Sequence, residues 1–135
     1  MNAINHFNES ILCINPDTIW NLNYLNELKK MQSDFFSNNY KCTMLVVNKT
    51  KSFDKNLKGD FNLENNLLNK NGNNLKYIYT GLQILKSDVF SDIDKKVFSI
   101  NEIWEKLIKK RELVGVESNI KFLHVSNLDT YNKLN

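Results

Sequence analysis

Residues 11–20, ILCINPDTIW, decide how the rest of the chain is read. Four of the first five residues are apolar or cysteine; the chain then meets Pro16, presents Asp17 and moves on to Trp20. A short run of this kind reads as a strand buried on both faces, the pattern of a parallel sheet with neighbours on either side. Ligands of open α/β sheets sit just outside the carboxyl ends of such strands. Asp17 therefore stands where an acid facing a ligand would stand.

Working outward, Leu22, Leu25, Leu28, Met31 and Phe35 recur every three or four residues and predict an amphipathic helix over about 21–36. CTMLVVN (42–48) reads as a second buried strand. Asn71-Gly72 is a hairpin signal between LENNLL and LKYIYTGLQIL. Ile100, Ile103, Trp104, Leu107 and Ile108 mark one face of a later helix, with Ser99 and Glu102 at capping-box spacing. LVGVES and IKFLHVS read as further strands, and NLDTYNKL as a closing helix. Trp20 and Trp104 read as core or cleft wall. No repeat, linker or internal boundary interrupts residues 1–135, so the chain is expected to form a single α/β domain with antiparallel pieces in its second half.

Composition narrows the function classes. The net charge of +3 comes from scattered lysines and a single arginine, Arg111, with no concentrated basic face of the kind nucleic-acid binders carry. The 23 asparagines read as a coding bias rather than as chemistry. Cys13 and Cys42 each sit in an apolar run far from any CxxC spacing, which predicts two reduced thiols and a cytoplasmic protein. MNAINHFNES has neither the basic nor the apolar region of a signal peptide, and no window is apolar enough for a membrane span. The only glycines, Gly59, Gly72, Gly81 and Gly115, are too far apart to form a phosphate-cradling loop. His6 and His124 lie far apart with no cysteine cluster nearby, which argues against a zinc site.

Four stretches taken in order resemble the sugar-1-phosphate nucleotidylyltransferases. ILCINPDTIW resembles the family's strand-plus-NGD segment. KGDFNL and YIYTGLQILKSDVF resemble the GDF and (Y/F)xGxxIxxPxxF stretches of the branch containing N-acetylmuramate-1-phosphate uridylyltransferase and mannose-1-phosphate guanylyltransferase-like proteins. VFSINEIWEKLIKK is similar to the helix that follows, and FLHVSNLDTYNKL to the closing W-x-(D/H)-V-G-T-P-x-x-L. Family members begin with a G-x-G-T-R loop and a P-K pair, and MNAINHF resembles the helix just after their base-binding segment. The resemblance thus implies a C-terminal part of a longer enzyme, a single partial domain lacking the nucleotide-binding part. Its fold would be an incomplete Rossmann-like nucleotidyltransferase sheet with helices on both faces and an antiparallel hairpin region.

Carried over position by position, the resemblance makes Asp17 the carboxylate that holds Mg²⁺. His124 falls where many members carry a second metal-binding Asp. Gly81 matches the glycine that lets the sugar approach the backbone, and Thr80 beside it is a weaker substrate-binding candidate. The substrates implied are a sugar 1-phosphate and a nucleoside triphosphate: a phosphate oxygen attacks the α-phosphorus and pyrophosphate leaves, between two anions that a metal must bridge. Three departures stand out: Pro16 replaces a glycine, His124 an acid, and Ser126-Asn127 the Gly-Thr pair. Without the triphosphate loop, catalysis by this chain alone is not expected. The expectations are then an inactive remnant or one half of a two-chain enzyme; a non-enzymatic binding or interaction module is the alternative. The strand at 11–15, deprived of a neighbour, would also favour self-association.

Overall fold

The computed structural model describes residues 10–135, so the comparison drawn for MNAINHF and the position of His6 lie outside the described residues. The elements run β1 (Ser10–Ile14), α1 (Tyr24–Ser37), β2 (Cys42–Asn48), β3 (Asn62–Glu64), β4 (Leu67–Asn69), β5 (Tyr77–Lys86), α2 (Ile100–Lys109), β6 (Leu113–Ser118) and α3 (Leu128–Leu134). Short 3₁₀ turns follow β2 and β5. The six strands form one sheet in the order β1-β5-β2-β6-β4-β3. β2 and β6 are parallel, whereas β5 runs antiparallel to both β1 and β2.

The strand buried on both faces is β2. Six of its seven residues are buried, and its side chains divide the core in two. Cys42, Met44 and Val46 point to the face covered by Ile103, Trp104 and Leu107 of α2. Leu45 points to the other, against Tyr24, Met31 and Phe35 of α1. Met31 and Phe35 are fully enclosed, each worth about 1.5–3 kcal/mol of apolar burial.

The stretch that opened the sequence behaves differently from its expectation. Among the described residues β1 is an edge strand, paired on one side only, and antiparallel rather than parallel. With one neighbour, alternate residues separate: Ile11 and Cys13 pack on the α2 face, while Leu12 and Ile14 are 44% and 53% exposed. An unbroken apolar run therefore marked a strand correctly but not its double burial.

Helix α1 starts at Tyr24, later than expected. Its buried stripe is Tyr24, Leu28, Met31 and Phe35, leaving Leu22 and Leu25 outside. It ends where Asn39 turns left-handed (φ 54°), so that the Asn39 and Tyr40 amides close onto Phe36 O and Phe35 O.

The hairpin turn is Asn65-Asn66, joining β3 to β4; Asn71-Gly72 does not make it. Both turn residues take positive φ, 50° and 64°, as a two-residue hairpin turn of the I′ kind requires, and asparagine tolerates that region. The expected partner β5 pairs with β1 and β2 instead. Residues 120–126 form isolated bridges rather than a strand, Ser52 to Phe122 and Thr18 to His124. At α2, Ser99 Oγ accepts from the Asn101 amide, while Glu102 pairs with Lys95 at 3.7 Å instead of completing a capping box.

Candidate functional site

Parallel β2 and β6 end at the same side of the sheet as β1, with the start of β5 between. There the chain leaving β1 is fastened twice. The Asn15 amide donates to Gly81 O at 2.8 Å, and the Trp20 indole donates back to Asn15 O at 2.8 Å. After the turn at Pro16-Asp17, the backbone meets residues 123–125. Ile19 N–H donates to Leu123 O and Val125 N–H to Asp17 O, each at 2.9 Å.

This short ladder brings together two side chains 107 positions apart. His124 Nε2 lies 3.0 Å from Asp17 Oδ2, where the imidazole donates to the carboxylate. Asp17 is about half exposed and His124 mostly enclosed. The imidazole lies nearly parallel to the Phe122 ring, with centroids 5.8 Å apart, and its Nδ1 is buried without a partner. Directly after it, Asn127 Oδ1 accepts from the Thr130 amide and caps α3. Asn127 thus serves the helix start.

Thr80 and Gly81 lie in a β-bulge, where the β2–β5 register shifts between Met44 and Val46. The Thr80 hydroxyl is buried and donates to Leu45 O at 2.8 Å, while its carbonyl accepts from the Thr18 hydroxyl at 2.7 Å. Gly81 has φ +96°, and a Cβ there would stand 2.6 Å from Asn15 Cβ. The open side of Gly81 is thus filled by Asn15. Both residues sit at the mouth of the candidate site, with their polar and steric freedom taken up by the chain itself.

Asp60 was not singled out by the sequence reading, although KGDFNL contains it. Its amide donates to Tyr77 O at 2.7 Å, and its carboxylate accepts from the Tyr79 amide at 2.9 Å, which places it at the start of β5. Enclosure by protein raises its carboxyl above the ordinary carboxylate range, outweighing the Tyr79 hydrogen bond and the Lys70 and His124 charges that lower it. The residue keeps an exposed side, so the crowding is local. A GDF tripeptide before a hairpin is the signal that could have pointed to it.

Trp104 is core: its ring meets Phe61 and Tyr79 edge-on, and its indole donates to Gln83 Oε1 at 3.0 Å. Trp20 stands edge-on against Tyr24 at the rim of a small apolar groove. Both cysteines are free thiols, and burial raises each above its ordinary value. A larger groove of about 490 Å³ lies elsewhere, between α1 and the β6–β4 side, lined by Lys30, Asp34, Tyr40 and Glu117 among others. Among the described residues, no three His, Cys, Asp or Glu side chains cluster to hold a metal. Asp17 fits a different arrangement, in which one carboxylate anchors a hydrated Mg²⁺ that substrate phosphates complete. The imidazole of His124 fits a hard cation poorly.

No protein-family model matches the chain, and no curated protein does. Solved structures do. A protein assigned as a glucose-1-phosphate thymidylyltransferase from Bacillus anthracis, in complex with a sucrose, superposes with a TM-score of 0.71 at 15% identity. The match covers 97% of this chain and 55% of that one. The fold is nucleotidyltransferase-like. HddC from Yersinia pseudotuberculosis, known also complexed with GMP-PN, matches at TM-score 0.64 and 17% identity over 98% of this chain and 57% of its own. The chain thus spans a little over half the length of these nucleotidyltransferase-like structures. Among the described residues, no helix is long and apolar enough to cross a membrane.

Proposed function

We propose that the chain is a sugar-1-phosphate nucleotidylyltransferase-like protein carrying the sugar-side and metal-anchoring part of the site, inactive alone. The observation that carries this reading is the contact between Asp17 and His124 at the carboxyl end of β1, on a sheet of nucleotidyltransferase-like fold. Asp17 anchors Mg²⁺, and His124 holds the carboxylate in place. When bound, the metal would neutralise oxygens of the sugar 1-phosphate and the nucleoside triphosphate as they meet. The ladder of residues 17–19 and 123–125 fixes the anchor against the sheet. Gly81, in the bulge, leaves room for Asn15, two residues before Asp17, and its carbonyl accepts from the Asn15 amide.

The inactivity we propose is supported by the spacing of the glycines: Gly59, Gly72, Gly81 and Gly115 are too far apart in this sequence to build a phosphate-cradling loop. Losing even one preorganised charge-stabilising donor costs on the order of 10²–10³ in rate. A complementary polypeptide would supply the triphosphate side, and the reduced thiols suit a cytoplasmic setting.

Purified chain incubated with Mg²⁺, each nucleoside triphosphate and candidate sugar 1-phosphates should release no pyrophosphate above background. Turnover that disappears in Asp17→Ala would refute the inactivity and establish a complete site. The anchor is tested separately with Mn²⁺, whose paramagnetism should broaden the NMR signals of residues 16–18 and 124 in the parent but not in Asp17→Asn. Equal broadening in both would remove Asp17 from the metal role.

A second reading, a non-enzymatic interaction module on the same scaffold, is favoured by one observation. The Thr80 hydroxyl and the open side of Gly81 are both taken up by the fold rather than turned to a substrate. Absence of any sugar 1-phosphate binding alongside intact Mn²⁺ broadening would select it.

A further inference from the structure

Three consecutive residues of β5 fasten the chain that leaves β1 and the chain that precedes β3. Gly81 O accepts from the Asn15 amide at 2.8 Å, and Thr80 O accepts from the Thr18 hydroxyl at 2.7 Å. The Tyr79 amide donates to Asp60 Oδ2 at 2.9 Å. Successive strand residues are only about 3.3 Å apart, so Asp60 stands beside the turn that carries Asp17. The His124 charge also bears on its carboxylate. The described chain begins at the far end of β5, where Ser10 pairs with Lys86, about 23 Å from Tyr79 at that rise.

One oxygen of Asp60 is enough for the bond to Tyr79. The other, Oδ1, accepts no hydrogen bond among the described residues, and no ion pair closes on it. Lys70 holds its ammonium over the Phe61 ring instead, 5.5 Å from the centroid. An asparagine would satisfy Tyr79 equally and would carry no charge into a place where enclosure raises the carboxyl above its ordinary range. The charge and the second oxygen are what the aspartate adds, at a cost to the fold. Costs of this kind gather where ligands bind.

The charges narrow the ligand. Asp17, His124 and Asp60 do not gather closely enough to hold one metal among them. An ionised carboxylate without a cation repels a phosphate and accepts from a hydroxyl. The neighbouring hydroxyls are already bonded within the chain, Thr80 to Leu45 O and Thr18 to Thr80 O. We propose that Asp60 is a specificity-determining residue whose Oδ1 accepts a hydrogen bond from a ring hydroxyl of the sugar, while Asp17 serves the phosphate end through its metal. This rests on the nucleotidylyltransferase reading above and adds to it a contact that discriminates between sugars.

The test titrates parent and Asp60→Asn by NMR with glucose, galactose, mannose and N-acetylglucosamine 1-phosphates in Mg²⁺, and with inorganic phosphate. A sugar phosphate that the parent binds should bind Asp60→Asn on the order of tenfold more weakly, the scale of one charge-assisted hydrogen bond. Inorganic phosphate should bind both alike. Among monodeoxy analogues of that sugar phosphate, the one lacking the recognised hydroxyl should also bind both alike, a result that a purely structural Asp60 would not give. Asp60→Ser repeats the comparison if Asp60→Asn fails to fold. Equal affinity of parent and variant for every sugar phosphate would overturn the inference and leave the Asp17 anchor standing. So would a loss that inorganic phosphate shares. A parent that binds none of the sugar 1-phosphates would overturn the sugar-side reading and this inference with it.

Discussion

Gly81 has two rival uses, and one substitution separates them. If the glycine leaves room for a sugar, Gly81→Ala should cost binding and little stability. If it lets β1 close on β5, stability should fall. The structure allows the second cost to be worked out. At φ +96° an L-residue with a Cβ is strained by about 1–3 kcal/mol. The new Cβ would also stand 2.6 Å from Asn15 Cβ, an atom fixed to backbone that cannot swing aside. Forcing an overpacked contact of this kind typically costs about 1–3 kcal/mol.

Together these terms predict a loss of about 2–6 kcal/mol, a large share of the 5–15 kcal/mol that holds a domain of this size. Urea melts of parent and Gly81→Ala, fitted with a common slope, measure it. Asn15→Gly in the same chain should recover the steric part and leave the φ part, so a double-mutant cycle divides the two. Hydrogen exchange in Gly81→Ala should accelerate first in residues 11–15. A variant within about 0.5 kcal/mol of the parent would refute this account of the bulge.

Three further outcomes are expected. Asp60 carries a carboxyl raised by enclosure, so its ionised form opposes folding above the folded pKa, and the penalty is relieved as pH falls through that value to the unfolded one. Asp60→Asn, whose amide oxygen still accepts from Tyr79, should stabilise the chain most at neutral pH, and the gain should vanish in acid melts. An unchanged difference across the pH range would deny the crowding. Trp104→Phe should cost about 1–3 kcal/mol in denaturant melts, because Gln83 Oε1 loses its 3.0 Å donor and keeps only the Cys42 thiol at 3.7 Å. His124→Asp should raise Mn²⁺ affinity at Asp17 on the order of tenfold or more by calorimetry, since a second carboxylate replaces a ring that brings no negative charge.

Strand and helix positions were largely legible, because apolar period and cap chemistry act locally. The partners of those strands were not. ILCIN has the side chains of an interior strand, yet its burial depends on what stands beside it, which local sequence does not encode. The hairpin shows the same limit in turn chemistry. Asn71-Gly72 has stronger turn propensity than Asn65-Asn66, but only the latter lies between segments whose registers fit, Asn62 to Asn69 and Glu64 to Leu67. At the site, Asp17 and His124 were each legible from a resemblance. Their contact arises from a bridge of two backbone hydrogen bonds across a sequence gap no pattern spans. Asp60 was hidden for a similar reason: only the fold places its carboxylate under the Tyr79 amide.

That contact also changes what the site can hold. A carboxylate pair would repel itself and so welcome a divalent cation, whereas Asp17 already has a donor in the imidazole. Any cation approaching the oxygen that faces His124 must displace that hydrogen bond or use the other one. The imidazole cannot follow it, because the ring lies against Phe122 and its Nδ1 is enclosed. As a metal anchor of the kind proposed, Asp17 would therefore be preorganised but weakly charged. Such a site suits a metal that arrives with its phosphates better than one that waits for them, because the missing charge then comes with the substrate.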